Sequence, residues 1–234
     1  MRLSCLIPAR GGSQRLPRKN IAPLRGRPLL QWTVEAARAS ALFADVWVST
    51  EDAEIAGVAR DAGAHVHDRP PALADGATTL VQVALDFADW LAARGETVDV
   101  LCLLLPTAAL VRPGDLRGGL ACLRERDADV AMAVTTYLES PFWALTEQDG
   151  YLRLFFGQEY ARKGQTLPPV QVDSGYFYFA RVATLRAERT LYVPRLVGYP
   201  IPRERSVDID EPYHLAIAEA LAGLGAPSTA GPRA

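Results

Sequence analysis

The sequence predicts an α/β protein with a doubly wound, mostly parallel sheet. Apolar runs of strand length alternate with amphipathic stretches of helical length. The run Val98-Asp99-Val100-Leu101-Cys102-Leu103-Leu104-Leu105 is nearly all apolar, as a central parallel strand covered on both faces requires. A glycine-bearing, cation-rich loop follows the first strand, where such sheets present ligands at their carboxyl ends.

Taken in order, strands are expected at 2–7, 45–49, 64–67, 98–105 and 129–135. Helices are expected at 28–39, 52–62, 78–93 and 113–125. Leu3 to Ile7 reads as a buried strand, and a helix with a good apolar face begins near Pro28. Thr50-Glu51-Asp52 offers a helix start, with Thr50 as the N-cap candidate and acids early in the helix. Ala62-Gly63-Ala64 ends that helix with a C-terminal glycine. The helical rhythm fades over 137–178, where aromatics crowd from Tyr137 to Tyr178. Residues 213–222 read as a last helix, and 225–234 as a disordered tail. One domain over 1–224 is expected, with an insertion at about 137–178.

Composition narrows the function classes. The net charge is −2 and the basic residues concentrate in 10–27, which suits a small polyanion and argues against nucleic acid as a partner. Cys5 and Cys102 sit in apolar runs and read as reduced core residues, and Cys122 stands apart. No Cys/His spacing fits zinc, and no apolar run approaches a membrane span. Pro8 and Arg10 interrupt any signal-peptide core, so a soluble cytoplasmic protein without a membrane partner is expected.

The loop from Ile7 to Asn20 carries Gly11, Gly12, Ser13 and four basic residues, Arg10, Arg15, Arg18 and Lys19. Glycines let backbone N–H groups approach an anion, and arginine and lysine neutralise phosphate. A nucleoside triphosphate carries about four negative charges, which this loop matches in sign. Neither the P-loop spacing nor the dinucleotide fingerprint is present. At the other end of the chain stands Asp208-Ile209-Asp210. Val207 to Ile209 reads as a strand end, whose alternation puts both carboxylates on one face, a pair suited to Mg²⁺. Asp210 also precedes Glu211-Pro212, so an N-cap reading stands beside the metal reading.

The motif Pro8-Ala9-Arg10-Gly11-Gly12-Ser13-x-Arg15-x-Pro17-x-Lys19-Asn20 resembles the first motif of the cytidylyltransferases that activate nonulosonic acids. These are the CMP-sialic acid synthetases and their pseudaminic and legionaminic acid relatives, and the resemblance runs from residue 1 to about residue 222. It implies a Rossmann-like nucleotidyltransferase that couples CTP to a 2-keto sugar acid with Mg²⁺, releasing pyrophosphate. It also implies a homodimer built on the antiparallel excursion at 137–178. Ala9, Arg10, Gly11, Gly12, Ser13, Lys19 and Asn20 match the positions that hold the nucleotide, with Arg10, Lys19 and Asp208 in catalytic roles. Asp208 and Asp210 match the metal pair. Arg15 is either a further phosphate ligand or a solvated side chain.

Arg69-Pro70-Pro71-Ala72-Leu73-Ala74 resembles the stretch beside the cytosine, and implies base contacts from Arg69 and from Thr78 or Thr79. Thr78 is also an N-cap candidate. Leu104-Leu105-Pro106-Thr107-Ala108 resembles a segment in which sialic acid enzymes carry glutamine where Leu105 stands. An apolar side chain cannot bond a sugar hydroxyl or amide. Together with Asp173-Ser174-Gly175, this points to a pseudaminic or legionaminic type of sugar. Thr107 is a sugar or phosphate contact, and Asp173 a sugar contact. Arg162 and Lys163 either pair with the sugar carboxylate or form a solvated turn. His65, His67 and His214 read as structural or exposed. Two alternatives stand: a CMP-Kdo synthetase or other sugar nucleotidyltransferase, and a non-catalytic nucleotide-binding protein on the same fold.

Overall fold

The computed structural model describes residues 1–223. The tail expected at 225–234 lies outside the described residues.

The chain opens with β1 (Leu3–Pro8) and the long loop, then a short ribbon of β2 (Pro23–Leu24) and β3 (Arg27–Pro28). Next come α1 (Leu29–Ala39), β4 (Val46–Thr50), α2 (Ala53–Asp61) and β5 (His65–Asp68). They are followed by α3 (Leu80–Ala92), β6 (Val100–Leu104), α4 (Pro113–Glu125) and β7 (Val130–Thr136). The hairpin β8 (Leu145–Gln148) and β9 (Tyr151–Leu154) precedes β10 (Gln171–Arg181) and α5 (Val182–Glu188). The described chain closes with β11 (Leu196–Pro200) and α6 (Pro212–Gly223).

Seven strands form one twisted sheet in the order β11-β7-β10-β6-β1-β4-β5. β10 alone runs antiparallel to its neighbours, β6 and β7; every other pair is parallel. Two apolar layers cover the sheet. One packs α1, α2 and α4 on one face; the other packs α3 and α5 on the opposite face, with Phe87 and Leu103 fully buried. The fully buried β6 accounts for the unbroken apolar run in the sequence.

Three local expectations are corrected. The N-cap of α2 is Asp52, not Thr50, because its carboxylate accepts from the N–H groups of Glu54 and Ile55. The N-cap of α3 is Thr79, not Thr78, in a reciprocal capping box with Gln82. Val207 to Ile209 is not a strand but part of an extended strap between β11 and α6. The aromatic stretch also divides. Tyr176, Phe177 and Tyr178 are core residues of β10, whereas the hairpin residues Tyr151, Leu152 and Phe155 are exposed. No described helix is long and apolar enough to cross a membrane.

Candidate active site

A cleft of about 450 Å³ opens at the carboxyl ends of β1 and β6. Its walls include four cations, Arg10, Arg15, Lys19 and Arg69, and one carboxylate, Asp210. Ser13, Asn20, Thr78, Thr79, Leu105 and Thr107 complete the set of expected residues that meet there. Residues from five separate stretches of sequence thus share one electropositive recess, the arrangement that concentrates a small polyanion.

Lys19, Arg15 and Arg69 are held through their side chains, Arg10 only through its backbone. Asn20 is buried and its amide donates to the Arg10 carbonyl at 2.8 Å, which fixes the loop's entry against its exit. The Arg10 side chain has no ion pair or hydrogen bond among the described residues and is available to a ligand. Lys19 Nζ donates to Asp210 at 2.7 Å and Arg15 donates to the other oxygen at 2.5 Å. Burial pushes the Asp210 carboxyl up, but Lys19 and Arg15 outweigh it and hold the pKa below the ordinary value. The helix-capping acceptor is instead His214 Nδ1, which receives the N–H groups of Asp210 and Glu211. The Asp210 carboxylate thus faces Lys19 and Arg15 and accepts from no N–H of the α6 start.

Asp208 is exposed, yet its carboxyl stands in a recess beside Gly175. Loss of bulk water there, with the like charge of Asp210, raises its pKa above the ordinary carboxylate value. Among the described residues it has no hydrogen-bond or ion-pair partner, so it is a carboxylate short of counter-charge. The strap that carries it is pinned to β10 and α4. The Tyr176 hydroxyl donates to the Arg205 carbonyl and accepts from Val207 N–H, and Arg205 forks onto Asp115 at 2.7 and 3.0 Å. Sequence reading missed Tyr176, Arg205 and Asp115, since an ion pair spanning 90 residues leaves no local pattern.

Several expected residues lie elsewhere. Gly11 and Gly12 do not line the cleft, and the Gly11 N–H donates to Glu51 at 2.7 Å instead of facing a phosphate. A side chain at Gly11 would stand 2.6 Å from Asp52, so this glycine serves close packing of the loop on the α2 N-cap. Ala9 is buried and holds β4 through its N–H to the Ser49 carbonyl. Asp173 faces its own strand, accepting from the Tyr178 hydroxyl at 2.7 Å and from Gly175 N–H at a bulge. Arg162 and Lys163 are exposed on the excursion, away from the cleft lining. The hydroxyls of Thr78 and Thr79 already bond Asp75 and Gln82, which orients them at the cleft wall.

An α/β sheet with a cationic cleft at its strand ends defines a phosphate-handling, nucleotide-binding class. Residues 4–141 match the family model of the cytidylyltransferases, and the chain belongs to this family of nucleotidyltransferases. It is 29% identical over 225 residues to a pseudaminic acid cytidylyltransferase of Campylobacter jejuni, covering 94% of this chain and 96% of that one. It is 30% identical over 220 residues to N-acylneuraminate cytidylyltransferase A of Danio rerio, covering 93% of this chain and 50% of that longer protein. The solved CMP:2-keto-3-deoxy-manno-octonic acid synthetase complexed with CTP is similar in fold, with a TM-score of 0.68 and 17% identity. That likeness covers 96% of this chain and 99% of the other.

Proposed function

We propose that this protein is a Mg²⁺-dependent cytidylyltransferase that joins CTP to a nonulosonic acid, giving the CMP-sugar and pyrophosphate. The observation that carries this reading is the convergence of Arg10, Lys19 and Arg69 with Leu105 and Thr107 in one cleft. The sugar's anomeric oxygen attacks the α-phosphorus as the bond to pyrophosphate breaks. Arg10 and Lys19 neutralise the charge gathering on the phosphates, and Arg69 with the Thr78 and Thr79 hydroxyls takes the base. Leu105 and Thr107 stand on the sugar side, and the apolar Leu105 favours a pseudaminic or legionaminic type of acid. Arg162 and Lys163 serve the sugar carboxylate from the excursion, across a homodimer. The exposed Trp143, Leu145, Tyr151 and Phe155 are the surface a second copy would cover.

Asp208 and Asp210 are the residues that would hold Mg²⁺. Their chemistry fits it: Mg²⁺ takes one or two carboxylates and fills its shell with phosphate and water, and Asp208 lacks a counter-charge. When bound, the ion supplies further neutralisation of the triphosphate. A cytoplasmic setting follows from this reading, since CTP is an intracellular substrate. The test is pyrophosphate release with each of the four nucleoside triphosphates against purified pseudaminic, legionaminic, N-acetylneuraminic and Kdo acids, with and without Mg²⁺. CTP with a nonulosonic acid should give the highest rate; a preference for Kdo or for another nucleotide overturns the proposal.

A further inference from the structure

Arg69 reaches the cleft from a buried corner, and what holds it there is a chain of side chains outside the site just described. Ser49 on β4 and His67 on β5 are register partners in adjacent parallel strands. Arg69 follows directly after β5, only 5% exposed. Its Nε donates to Ser49 Oγ at 3.2 Å and its terminal nitrogen to the Ser49 carbonyl at 2.7 Å. That same carbonyl receives the Ala9 N–H at 2.9 Å, so the start of the phosphate loop and Arg69 hang on one oxygen.

Ser49 Oγ also lies 3.1 Å from His67 Nδ1. The hydroxyl accepts from Arg69 and has a second lone pair, so the far side of the ring decides: a bare Nε2 would meet the Asp86 carboxylate, which leaves Nδ1 as the bare nitrogen that takes the Ser49 hydrogen. The proton then sits on Nε2, which faces Asp86 Oδ2 of α3 at 3.5 Å. That oxygen is buried and has no hydrogen-bond partner. Phe87 and Trp90 close on the ring at centroid distances of 5.4 and 5.0 Å, so the imidazole cannot flip freely. Burial, with the charge of Arg69, lowers the His67 pKa to about 4, so the ring is neutral near pH 7.

We propose that His67, held in its Nε2–H tautomer by Asp86 and the aromatic wall, is a positioning residue. It orients the Ser49 hydroxyl, and through it aims the Arg69 guanidinium at the nucleotide base. The inference rests on the reading of Arg69 as a base contact. Two of the guanidinium's three nitrogens are spent on Ser49, which leaves one edge for a ligand acceptor and makes its direction a property of Ser49 and His67.

CTP and UTP binding to the intact protein, measured by calorimetry without sugar, tests this. His67→Phe keeps a ring but removes the acceptor; His67→Asn keeps a polar atom where Nδ1 stands. His67→Phe and Ser49→Ala should each weaken CTP binding roughly tenfold and narrow the preference for CTP over UTP. His67→Asn should restore most of both. If Arg69→Ala leaves CTP binding unchanged, the base-contact reading fails. If Arg69→Ala weakens it while His67→Phe and Ser49→Ala do not, the positioning role fails and the base contact stands. Equal losses in His67→Phe and His67→Asn also overturn the proposal. The ¹⁵N spectrum of the wild-type imidazole is independent of whether any variant folds: a proton on Nε2 is required, and one on Nδ1 sinks the chain of contacts.

Discussion

The phosphate-loop corner and the aromatic excursion both carry cations that resemblance assigns to ligand binding, and the fold treats them in opposite ways. In the corner, Lys19 is held by Asp210, Arg69 by Ser49, and the loop itself by Asn20, while the Arg10 side chain is left free among the described residues. On the excursion, Arg162 and Lys163 project from short turns beside an exposed hairpin; their carbonyls accept from the Trp143 indole N–H at 3.2 Å and from Thr166, but neither side chain has a partner among the described residues. A braced cation has already lost its side-chain entropy before ligand arrives, whereas an unbraced one loses it on binding. The corner is therefore built to bind as folded. The side chains of Arg162 and Lys163 would lose that entropy only on binding.

The largest expected break of this contrast is at the carboxylates. Asp208→Asn and Asp210→Asn should each lower kcat by roughly a hundredfold or more, the scale of a lost electrostatic element in an active site. Asp210→Asn also frees Lys19 and Arg15 from their partner. Its effect should therefore appear in CTP affinity as well as in kcat, while Asp208→Asn acts on kcat and on the Mg²⁺ requirement. An Asp210→Asn protein with normal turnover and a lower Tm would return that residue to a structural role.

Next in size are the loop cations. Arg10→Ala or Lys19→Ala should cost about 2–4 kcal/mol of transition-state stabilisation, read from kcat/KM. Arg18 is the control. It neighbours Lys19 in sequence but turns away in a left-handed conformation (φ 56°) to pair with Asp52 and Glu54 at the α2 N-terminus. Arg18→Ala should keep near-normal kcat/KM. Equal losses from Arg18→Ala and Lys19→Ala would mean that the loop acts as diffuse charge and not through placed side chains.

The sheet and the cleft were legible to different degrees, for physical reasons. Parallel strands buried on both faces write themselves as apolar runs, so β1, β4, β6 and β7 were visible, while the edge strand β5, with His65 and Asp68 exposed, was expected from the alternation of elements. β10 and β11 were not, because β10 follows directly on the irregular excursion and its bulge at Asp173–Tyr178 breaks the alternation. In the cleft, Arg10, Lys19 and Arg69 were readable because they sit in motifs. Ser49 and His67 were not, since their meeting depends on the register of β4 with β5. The Gly11 N–H misled because glycine in a loop signals close approach without saying to what; here the approach is to Asp52.

The buried corner also predicts a pH effect on stability. Burial holds His67 at about 4 against an ordinary 6.5, so the unfolded chain takes up the proton first. Between those values the unfolded state binds more protons and stability rises with pH. The contribution is complete above about 6.5 and lost as pH falls to about 4. Arg69 and Arg94 add to burial in opposing protonation, and Asp68 favours it. Denaturant unfolding of wild type against His67→Asn across this range should show an extra acid loss in wild type, on the order of 2–3 kcal/mol. Parallel curves would mean that His67 is solvated in solution and the corner is looser than the contacts imply.

A smaller effect belongs to the sugar side. Leu105 lines the cleft just past β6, its N–H fixed to the Tyr176 carbonyl at 2.8 Å. A substrate amide or hydroxyl buried against it goes unpaired, at roughly 1–3 kcal/mol. Competition among the three nonulosonic acids should therefore disfavour N-acetylneuraminate in kcat/KM, and Leu105→Gln should narrow the gap. Unchanged ratios would remove Leu105 from the sugar's surroundings.

The smallest expected effect is the one that tests the contrast from the excursion's side. Arg162→Ala and Lys163→Ala remove exposed charges that no described side chain braces, so CTP affinity should stay within about twofold. If a second copy orders these turns over the cleft, the sugar KM should rise, by less than about fivefold for either residue, and the rise should depend on assembly. Substituting Leu152 and Phe155 together with glutamate should break the apolar hairpin contact, read as a lower sedimenting mass. In that dissociated protein, Arg162→Ala should have no further effect on the sugar KM. A persistent effect there would place the cation at the cleft of its own chain, and would make the excursion a mobile part of the site instead of a borrowed one.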